Sequence, residues 1–188
     1  MDDLTNNCTG FVHQRGYVHT RIIDHGTNSK ALGHNLFILW NNRDVYGTVS
    51  HEYVHTLQAN EALGELLRFG SIWFKEGSAE ALSRIWLDWP PQFDEQDTPL
   101  VELELDLPVS SKTVVGDQTV AGLMLLWNIR EVLGHAIFGK ILQGLYQRRD
   151  FVSGSECAAV FKRSARSRAG QIEEIFRRRI AGYVAGSL

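Results

Sequence analysis

The sequence is poor in cysteine, and this scarcity limits the kinds of small domain that it can form. With Cys8 and Cys157 as its two cysteines, the chain can build neither a disulfide framework nor a cysteine-based zinc site. Two free thiols are the expected state. A single bridge between the two cysteines is the alternative if the protein is exported.

Strong charge and long apolar runs are also missing. A formal net charge of -3 gives no reason to expect nucleic acid or a membrane surface as the main partner. No apolar run approaches the roughly 20 residues that span a bilayer, and the start MDDLTNNCTG is too polar for a signal peptide. We therefore expect a soluble chain, whose compartment and oligomeric state the sequence does not indicate.

The remaining composition fits one globular domain of the α+β class, mostly α. A chain of 188 residues with 44% hydrophobic content can bury a core of its own. We expect a small N-terminal antiparallel sheet in residues 1–42, metal-binding helices in 43–90 and C-terminal helices in 107–188. For the sheet, YVHTRII (Tyr17 to Ile23) and NLFILW (Asn35 to Trp40) have strand-like composition, with a loop between them.

Helical periodicity begins at Asp44, a suitable N-cap for a helix that runs to about Ala59. A shorter helix is predicted for Glu61 to Phe69. Ser71 is the expected cap of a third helix that ends before Pro90. The chain then predicts four more helices, at Asp117 to Leu133, His135 to Arg148, Ser155 to Arg166 and Ala169 to Ala185.

An acidic segment separates the two groups of helices. Asp88 to Asp106 contains seven carboxylates and no lysine or arginine. Within it, LVELELDL alternates in polarity and predicts a strand or edge hairpin. A solvated surface loop is favoured over an active-site lid.

The pentapeptide HEYVH lies inside the helix that starts after Asp44. Residues four apart share one helix face, so His51 and His55 can reach a single ion, and imidazole is a common zinc ligand. Glu52 stands beside that face, where it can take a proton from water. The alternative is a pair of partly buried histidines next to a surface glutamate.

A catalytic zinc needs a further protein ligand. WFKEGSAEAL, in the next long helix, offers Glu76 and Glu80, which are four residues apart on one face. An antiparallel packing of the two helices would bring that face to the histidines, and the small residues Gly77 and Ala79 would let them approach closely. The residues themselves do not decide between the two glutamates.

HEYVH followed after twenty residues by EGSAE, with Trp73 ahead of the first glutamate, resembles the gluzincin clan of zinc metallopeptidases. The match covers about Phe37 to Leu87, and the C-terminal helices are similar to those of small bacterial peptidase-like domains of that clan. The resemblance implies a zincin-like fold and one zinc ion per chain.

By that resemblance the zinc ligands are His51, His55 and Glu76, and Glu52 is the general base. Glu80 then holds the second ring nitrogen of a ligand histidine, or is an ordinary surface glutamate. The implied activity is hydrolysis of peptide bonds in a peptide or protein substrate. The β-strand at Asn35 to Trp40 could pair with an extended substrate.

The sequence departs from the gluzincin pattern in two ways. Gluzincins use a tyrosine or histidine to stabilise the oxyanion, but no tyrosine lies between Glu80 and Tyr146, and the histidine there is His135. His135 is either that donor or an exposed residue at a helix start. The aminopeptidase segment GxMEN is also absent, which favours an endopeptidase. Because the N-terminal part is short for a complete peptidase, a truncation that removed an upstream domain is one expectation.

Three hypotheses remain for the function. The leading hypothesis is a zinc-dependent peptidase, and the second is a catalytically inactive metal-binding or interaction module of the same fold. A helical scaffold without metal is the third. The C-terminal helices are basic, and their cations include Arg148, Lys162, Arg163, Arg166 and Arg168. We expect these cations to form a solvated helix face. The alternatives are an anion-binding patch and a surface that docks the acidic segment.

Overall fold

The computed structural model describes residues 19–23, 29–32, 35–39, 44–58, 69–91, 103–108, 115–148 and 150–177. Within these ranges it has three short strands and six α-helices. The fold is therefore mostly helical with a small sheet, in agreement with the expected α+β class. No described helix combines the length and the apolar character needed to cross a membrane.

The sheet contains β1 (His19–Ile23), β2 (Lys30–Leu32) and β3 (Asn35–Leu39), in the order β1-β3-β2. β2 runs antiparallel to β3, but β1 runs parallel to it, with Ile22 opposite Ile38. The predicted antiparallel pairing of the two longer strands is therefore wrong. The short strand β2, which lies in the predicted loop, forms the antiparallel hairpin with β3 and leaves the other edge of β3 to β1.

The six helices are α1 to α6, and most of the predicted ones are confirmed. Asp44 begins α1, since its Oδ1 accepts a hydrogen bond of 2.8 Å from Gly47 N. Ser71 precedes α2, but its buried hydroxyl makes no capping bond. A 3₁₀ turn, Arg166–Arg168, separates the last two helices. The bounds are α1 Val45–Gln58, α2 Ile72–Leu87, α3 Val115–Leu133, α4 His135–Tyr146, α5 Gly154–Ser164 and α6 Ala169–Arg177.

Some predictions concern residues outside the described ranges. These are most of the helix at Glu61 to Phe69, the end of the last predicted helix, most of the acidic segment, and Cys8. The described residues 103–108, at and just after the end of the acidic segment, form a turn and a single bridge between Pro108 and Ser71. It is therefore not the predicted strand. Trp73 Nε1 donates to Leu105 O at 2.9 Å and holds this turn against α2.

α2 is the central helix of the fold. It packs against α1 on one side and against α3 on another. Its residues Trp73 and Phe74 are fully buried in the main core, which also includes side chains of α3 to α6. A smaller apolar cluster joins the sheet to α1 through Leu36, Ile38 and Tyr53. The sheet thus covers one face of the helix that carries HEYVH.

Candidate metal centre

The crossing of α1 and α2 brings together His51, His55 and Glu76. The two Nε2 atoms of the histidines are 3.1 Å apart. Glu76 Oε2 is 3.1 Å from His55 Nε2 and 3.4 Å from His51 Nε2. One ligand atom from each residue thus faces the same small space, and these three residues could hold a metal ion.

The spacing of these atoms fits a tetrahedral metal ion. Bonds of about 2.0–2.1 Å to nitrogen and oxygen put neighbouring ligand atoms of a tetrahedron about 3.3 Å apart. The three observed distances are 3.1, 3.1 and 3.4 Å. Two imidazoles and one carboxylate are also a donor set that leaves a coordination position open, as in catalytic zinc sites.

Hydrogen bonds behind the histidines fix their orientation. His51 Nδ1 is 3.1 Å from Glu80 Oε2, whose carboxylate also accepts from Arg84 Nε at 2.7 Å. Because an ionised carboxylate only accepts, Nδ1 of His51 carries a proton, and Nε2 is the ring nitrogen that can bind a metal ion when the ring is neutral. A carboxylate behind a ligand histidine is a common feature of zinc sites.

Gln58 performs the corresponding role for His55. Its Oε1 is 2.7 Å from His55 Nδ1. Its Nε2 donates to Lys75 O at 2.8 Å and Ser78 Oγ at 2.9 Å. Since a backbone carbonyl only accepts, the amide nitrogen of Gln58 must face Lys75, and the amide oxygen must face the imidazole. His55 therefore also presents the lone pair of Nε2 to the cluster.

Tyr146 completes this buried network from α4. Its hydroxyl is 2.7 Å from Ser78 Oγ and 3.2 Å from Gln58 Nε2, and the residue is 4% exposed. The sequence did not reveal Gln58, Ser78 or Tyr146 as part of the site. Gln58 had a usable signal, because it lies one helical turn after His55; its partners lie on other helices.

The ionisation of the cluster reflects its low exposure and close contacts. Burial lowers the pKa of His51, but hydrogen bonds to Glu76 and Glu80 outweigh this effect and raise the pKa to about 9. Burial would raise the pKa of Glu76, yet contacts with both histidines hold it well below its usual range. The bond from His51 lowers the pKa of Glu80. The metal-free cluster thus holds positive charge between its acceptor atoms.

Glu52 lies beside the cluster and is 9% exposed. Burial raises the pKa of its carboxyl, while the charges of His55 and His51 act in the opposite direction. A raised pKa brings a glutamate closer to the neutral range, where it accepts and returns a proton most effectively. Lys75 adds a cation to the cluster, with Nζ 3.2 Å from Glu76 Oε1.

His135 matches the alternative that the sequence offered for it, an exposed residue at a helix start: it is exposed at the start of α4 and is not part of the metal-binding group found among the described residues. One other expectation about the site is not met. Gly77 does not serve the contact between α1 and α2. A Cβ at Gly77 would lie 2.7 Å from the backbone of Gly122, so this glycine faces α3 instead. Glu76 and Glu80 have long side chains that reach α1 without such an approach.

Comparisons with protein-family models, with curated proteins and with solved structures found no match for this chain. The function is therefore argued from the site itself.

Proposed function

We propose that this chain is a zinc-dependent peptidase domain of the gluzincin type, with a zincin-like fold. The observation that carries the proposal is the convergence of three acceptor atoms, His51 Nε2, His55 Nε2 and Glu76 Oε2, within 3.1–3.4 Å of one another. Three lone pairs at this spacing repel one another unless a cation lies between them. Without metal that cation is the proton that the raised pKa of His51 implies, and a zinc ion would take its place. The nitrogen and oxygen donors and their spacing suit zinc.

In this proposal His51, His55 and Glu76 hold the zinc ion. When bound, zinc supplies Lewis acidity that activates water and polarises a carbonyl group. Glu80 and Gln58 keep the two imidazoles in the tautomer that presents Nε2. Both partners are themselves held, Glu80 by Arg84 and Gln58 by Lys75 and Ser78.

Glu52 acts as the general base. It takes the proton of the attacking water and later delivers it to the departing amine of the peptide. Its position next to His51 in α1, its low exposure and its raised pKa support this role. The substrate is a peptide or protein, and we favour internal cleavage because the GxMEN segment of aminopeptidases is absent from the sequence.

The test begins with metal content and then separates binding from catalysis. Elemental analysis of protein purified without chelator or histidine tag is expected to find about one zinc per chain. The zinc-loaded protein is then incubated with a library of quenched fluorescent peptides. Glu52→Gln is expected to lower hydrolysis by about 10²–10⁴-fold while the zinc content stays unchanged. Glu131→Gln, at an exposed glutamate of α3, is the control and should keep full activity.

Each result has a defined meaning. Hydrolysis that survives Glu52→Gln would show that Glu52 is not the base. If the protein does not retain zinc that is added back, the cluster is not a zinc site, and the peptidase proposal is then wrong as well.

A catalytically inactive metal-binding module is the second candidate. Neither Tyr146 nor His135, the described tyrosine and histidine downstream of Glu80, is placed as an oxyanion donor at the cluster, because Tyr146 is buried in the Gln58 network and His135 lies at the exposed start of α4. This candidate predicts one bound zinc and no cleavage of any peptide by the wild-type chain. The zinc analysis and the peptide-cleavage assay therefore distinguish this candidate from the active peptidase.

A further inference from the structure

Lys75 is a cation of the metal cluster that, in the proposed function, neither holds the ion nor moves the proton. It immediately precedes Glu76 in α2, and its Nζ lies 3.2 Å from Glu76 Oε1. The other oxygen of the same carboxylate, Oε2, faces the Nε2 atoms of His51 and His55. The ammonium group of Lys75 therefore stands one carboxylate away from the space that a metal ion would occupy.

The charge of Lys75 acts on the proposed base as well as on this candidate ligand. Burial raises the pKa of Glu52, and the charge of Lys75 is among the effects that oppose it. Burial also acts to raise the pKa of Glu76, whereas hydrogen bonds from both histidines and the charge of Lys75 lower it. Because such interactions weaken with distance, Lys75 lies near both carboxylates. Arg84, by contrast, pairs with Glu80 behind His51.

The ammonium group of Lys75 also has hydrogen-bonding capacity left over. An ammonium carries three N–H donors, and in the described part of the chain the partner of Nζ is Glu76 Oε1 alone. The side chain is 16% exposed, so its charge is screened less than that of a lysine on the open surface. A partly desolvated cation with spare donors is suited to an anion that forms inside the site.

Hydrolysis of a peptide bond creates such an anion. When water attacks the carbonyl carbon and Glu52 takes its proton, the π electron pair of the carbonyl group moves to its oxygen and makes an oxyanion. Neither Tyr146 nor His135 is placed at the cluster to stabilise this charge. The carboxylate of Glu76, which does lie there, would repel the oxyanion. The site therefore needs a donor, preferably a cation, beside Glu76.

We propose that Lys75 is the oxyanion-stabilising residue of this site, an inference that rests on the proposed peptidase function. Nζ donates a hydrogen bond to the carbonyl oxygen of the scissile bond as this oxygen becomes negative, while another of its donors stays on Glu76 Oε1. When the C–N bond breaks, the electron pair of the oxyanion restores the carbonyl bond, and Glu52 returns the proton to the amine nitrogen. A carboxylic acid and an amine result, and Lys75 keeps its own protons throughout.

The alternative ligand of Lys75 is the C-terminal carboxylate of a substrate. That group lies a residue beyond the scissile carbonyl, about 3.8 Å farther from the reacting centre. The pairing of Nζ with the carboxylate of a candidate metal ligand keeps the ammonium next to that centre instead. The two roles also affect different kinetic constants, because an oxyanion donor acts on kcat and a substrate anchor acts on KM.

The test compares variants of the zinc-loaded, full-length chain with the best substrate of the fluorescent peptide library. Lys75→Met removes the charge and the donors, and we expect kcat to fall by about 10²–10³-fold while KM changes by less than about threefold. Lys75→Arg restores a cation with N–H donors and should recover about tenfold or more of this loss. Lys140→Met, at an exposed lysine of α4, is the control and should keep full activity.

Two binding measurements separate this role from a purely structural one. A phosphinic peptide carries a negative oxygen on a tetrahedral centre, and by calorimetry it should bind Lys75→Met about 10²-fold more weakly than the wild type. The zinc affinity, from competition with a chelator, should stay the same or rise, because a cation that repels the metal ion is removed. A fall in zinc affinity would show that Lys75 positions Glu76, and would overturn the inference.

The kinetic results also separate this inference from the peptidase proposal. An unchanged kcat of Lys75→Met beside an active wild type would overturn the inference and leave the peptidase proposal intact. A loss confined to KM, seen with peptides that have a free C-terminus but not with amidated ones, would assign Lys75 to the substrate terminus. A wild type that holds zinc but cleaves no peptide would contradict the peptidase proposal and this inference with it.

Discussion

Gln58 is connected to the cluster through His55 and to the rest of the protein through three other groups. Its amide binds His55 Nδ1, Lys75 O and Ser78 Oγ, and its Nε2 also lies 3.2 Å from Tyr146 OH. The residue is 3% exposed. Its role therefore combines two effects, a buried hydrogen-bond network and the orientation of a candidate ligand.

Gln58→Met keeps a side chain of similar length without the polar atoms. We expect the free energy of unfolding of the metal-free protein to fall by about 1–3 kcal/mol, because buried partners lose their hydrogen bonds. We also expect the zinc affinity to fall by about tenfold or more, because His55 loses its fixed tautomer. Urea unfolding and a chelator competition titration measure the two effects. Loss of stability with unchanged zinc affinity would contradict the positioning role.

Glu80→Gln tests the partner of the other histidine. The amide keeps the size of the side chain but loses the charge that holds His51 Nδ1–H at 3.1 Å. We expect the zinc affinity to fall by about 10–100-fold, measured by the same titration. Glu131→Gln removes an exposed carboxylate that, like Glu80, pairs with an arginine, and it should leave the affinity unchanged. Equal affinities in both variants would make Glu80 an ordinary surface glutamate.

Cys157 is a fully buried thiol, and burial raises its pKa far above that of a free cysteine. In a Cys8→Ser background we expect a thiol reagent at pH 8 to label Cys157 at the rate of unfolding, because the folded protein offers no accessible thiolate. Labelling is measured by mass spectrometry with and without urea. Rapid labelling in the absence of urea would be inconsistent with this burial.

At the level of helices and strands, local sequence patterns predicted the helices better than they predicted the pairing of the strands. The helices starting after Asp44 and Ser71 and the helices after the acidic segment follow from periodicity, a local property, and Asp44 also caps its helix, whereas Ser71 makes no capping bond. The parallel pairing of β1 with β3 depends on β2, a strand of three residues inside a polar loop. No local signal marks such a short strand.

Tertiary contacts also overrode local preference at the end of the acidic segment. LVELELDL alternates like a strand, but Leu105 O accepts from Trp73 and the Asp106 carboxylate accepts from Ser155 N at the start of α5. These partners lie about 30 and 50 residues away, so the alternation could not reveal them. His51 and His55 could be found because their spacing within one helix is local, whereas the residues themselves could not decide between Glu76 and Glu80, which required the packing of α1 against α2.

The contact between α2 and α3 provides a prediction at the element scale. A Cβ at Gly122 would lie 2.0 Å from Trp73 O, whereas nothing lies within 4 Å of a Cβ at Gly144 in α4. We expect Gly122→Ala to destabilise the protein by about 1–3 kcal/mol or more through overpacking. Gly144→Ala should be neutral or stabilise it by up to about 1 kcal/mol, because alanine favours a helix.

Thermal or urea unfolding of the two glycine variants gives the comparison directly. Both substitutions place alanine inside a helix, so the gain in helix propensity is similar in each. The difference between them therefore isolates the packing of α2 against α3. Equal stability of the two variants would mean that the two helices are farther apart than described.

At the scale of the whole molecule, the proposed zinc ion would tie α1 to α2 and thus the sheet to the main core. An ion that binds the folded state alone stabilises it by about 2.7 kcal/mol at 100 times its dissociation constant. We expect a chelator to lower the melting temperature of the zinc-loaded wild type. Glu76→Gln should melt at the same temperature with and without the chelator. A wild-type melting temperature that does not respond to the chelator would exclude a structural contribution of the metal.

α2 contacts three parts of the fold at once: α1, α3 and the main core. Glu76 and Glu80 face α1, Gly77 faces α3, and Trp73 and Phe74 fill the core. Inserting one residue into this helix rotates all later residues of the helix by about 100° relative to the earlier ones. The contacts made before the insertion and those made after it could therefore not both be kept. In a library of single-residue insertions and deletions, α2 would be the segment from which folded survivors are missing, and natural divergence of the chain would accumulate in the loops on either side of it.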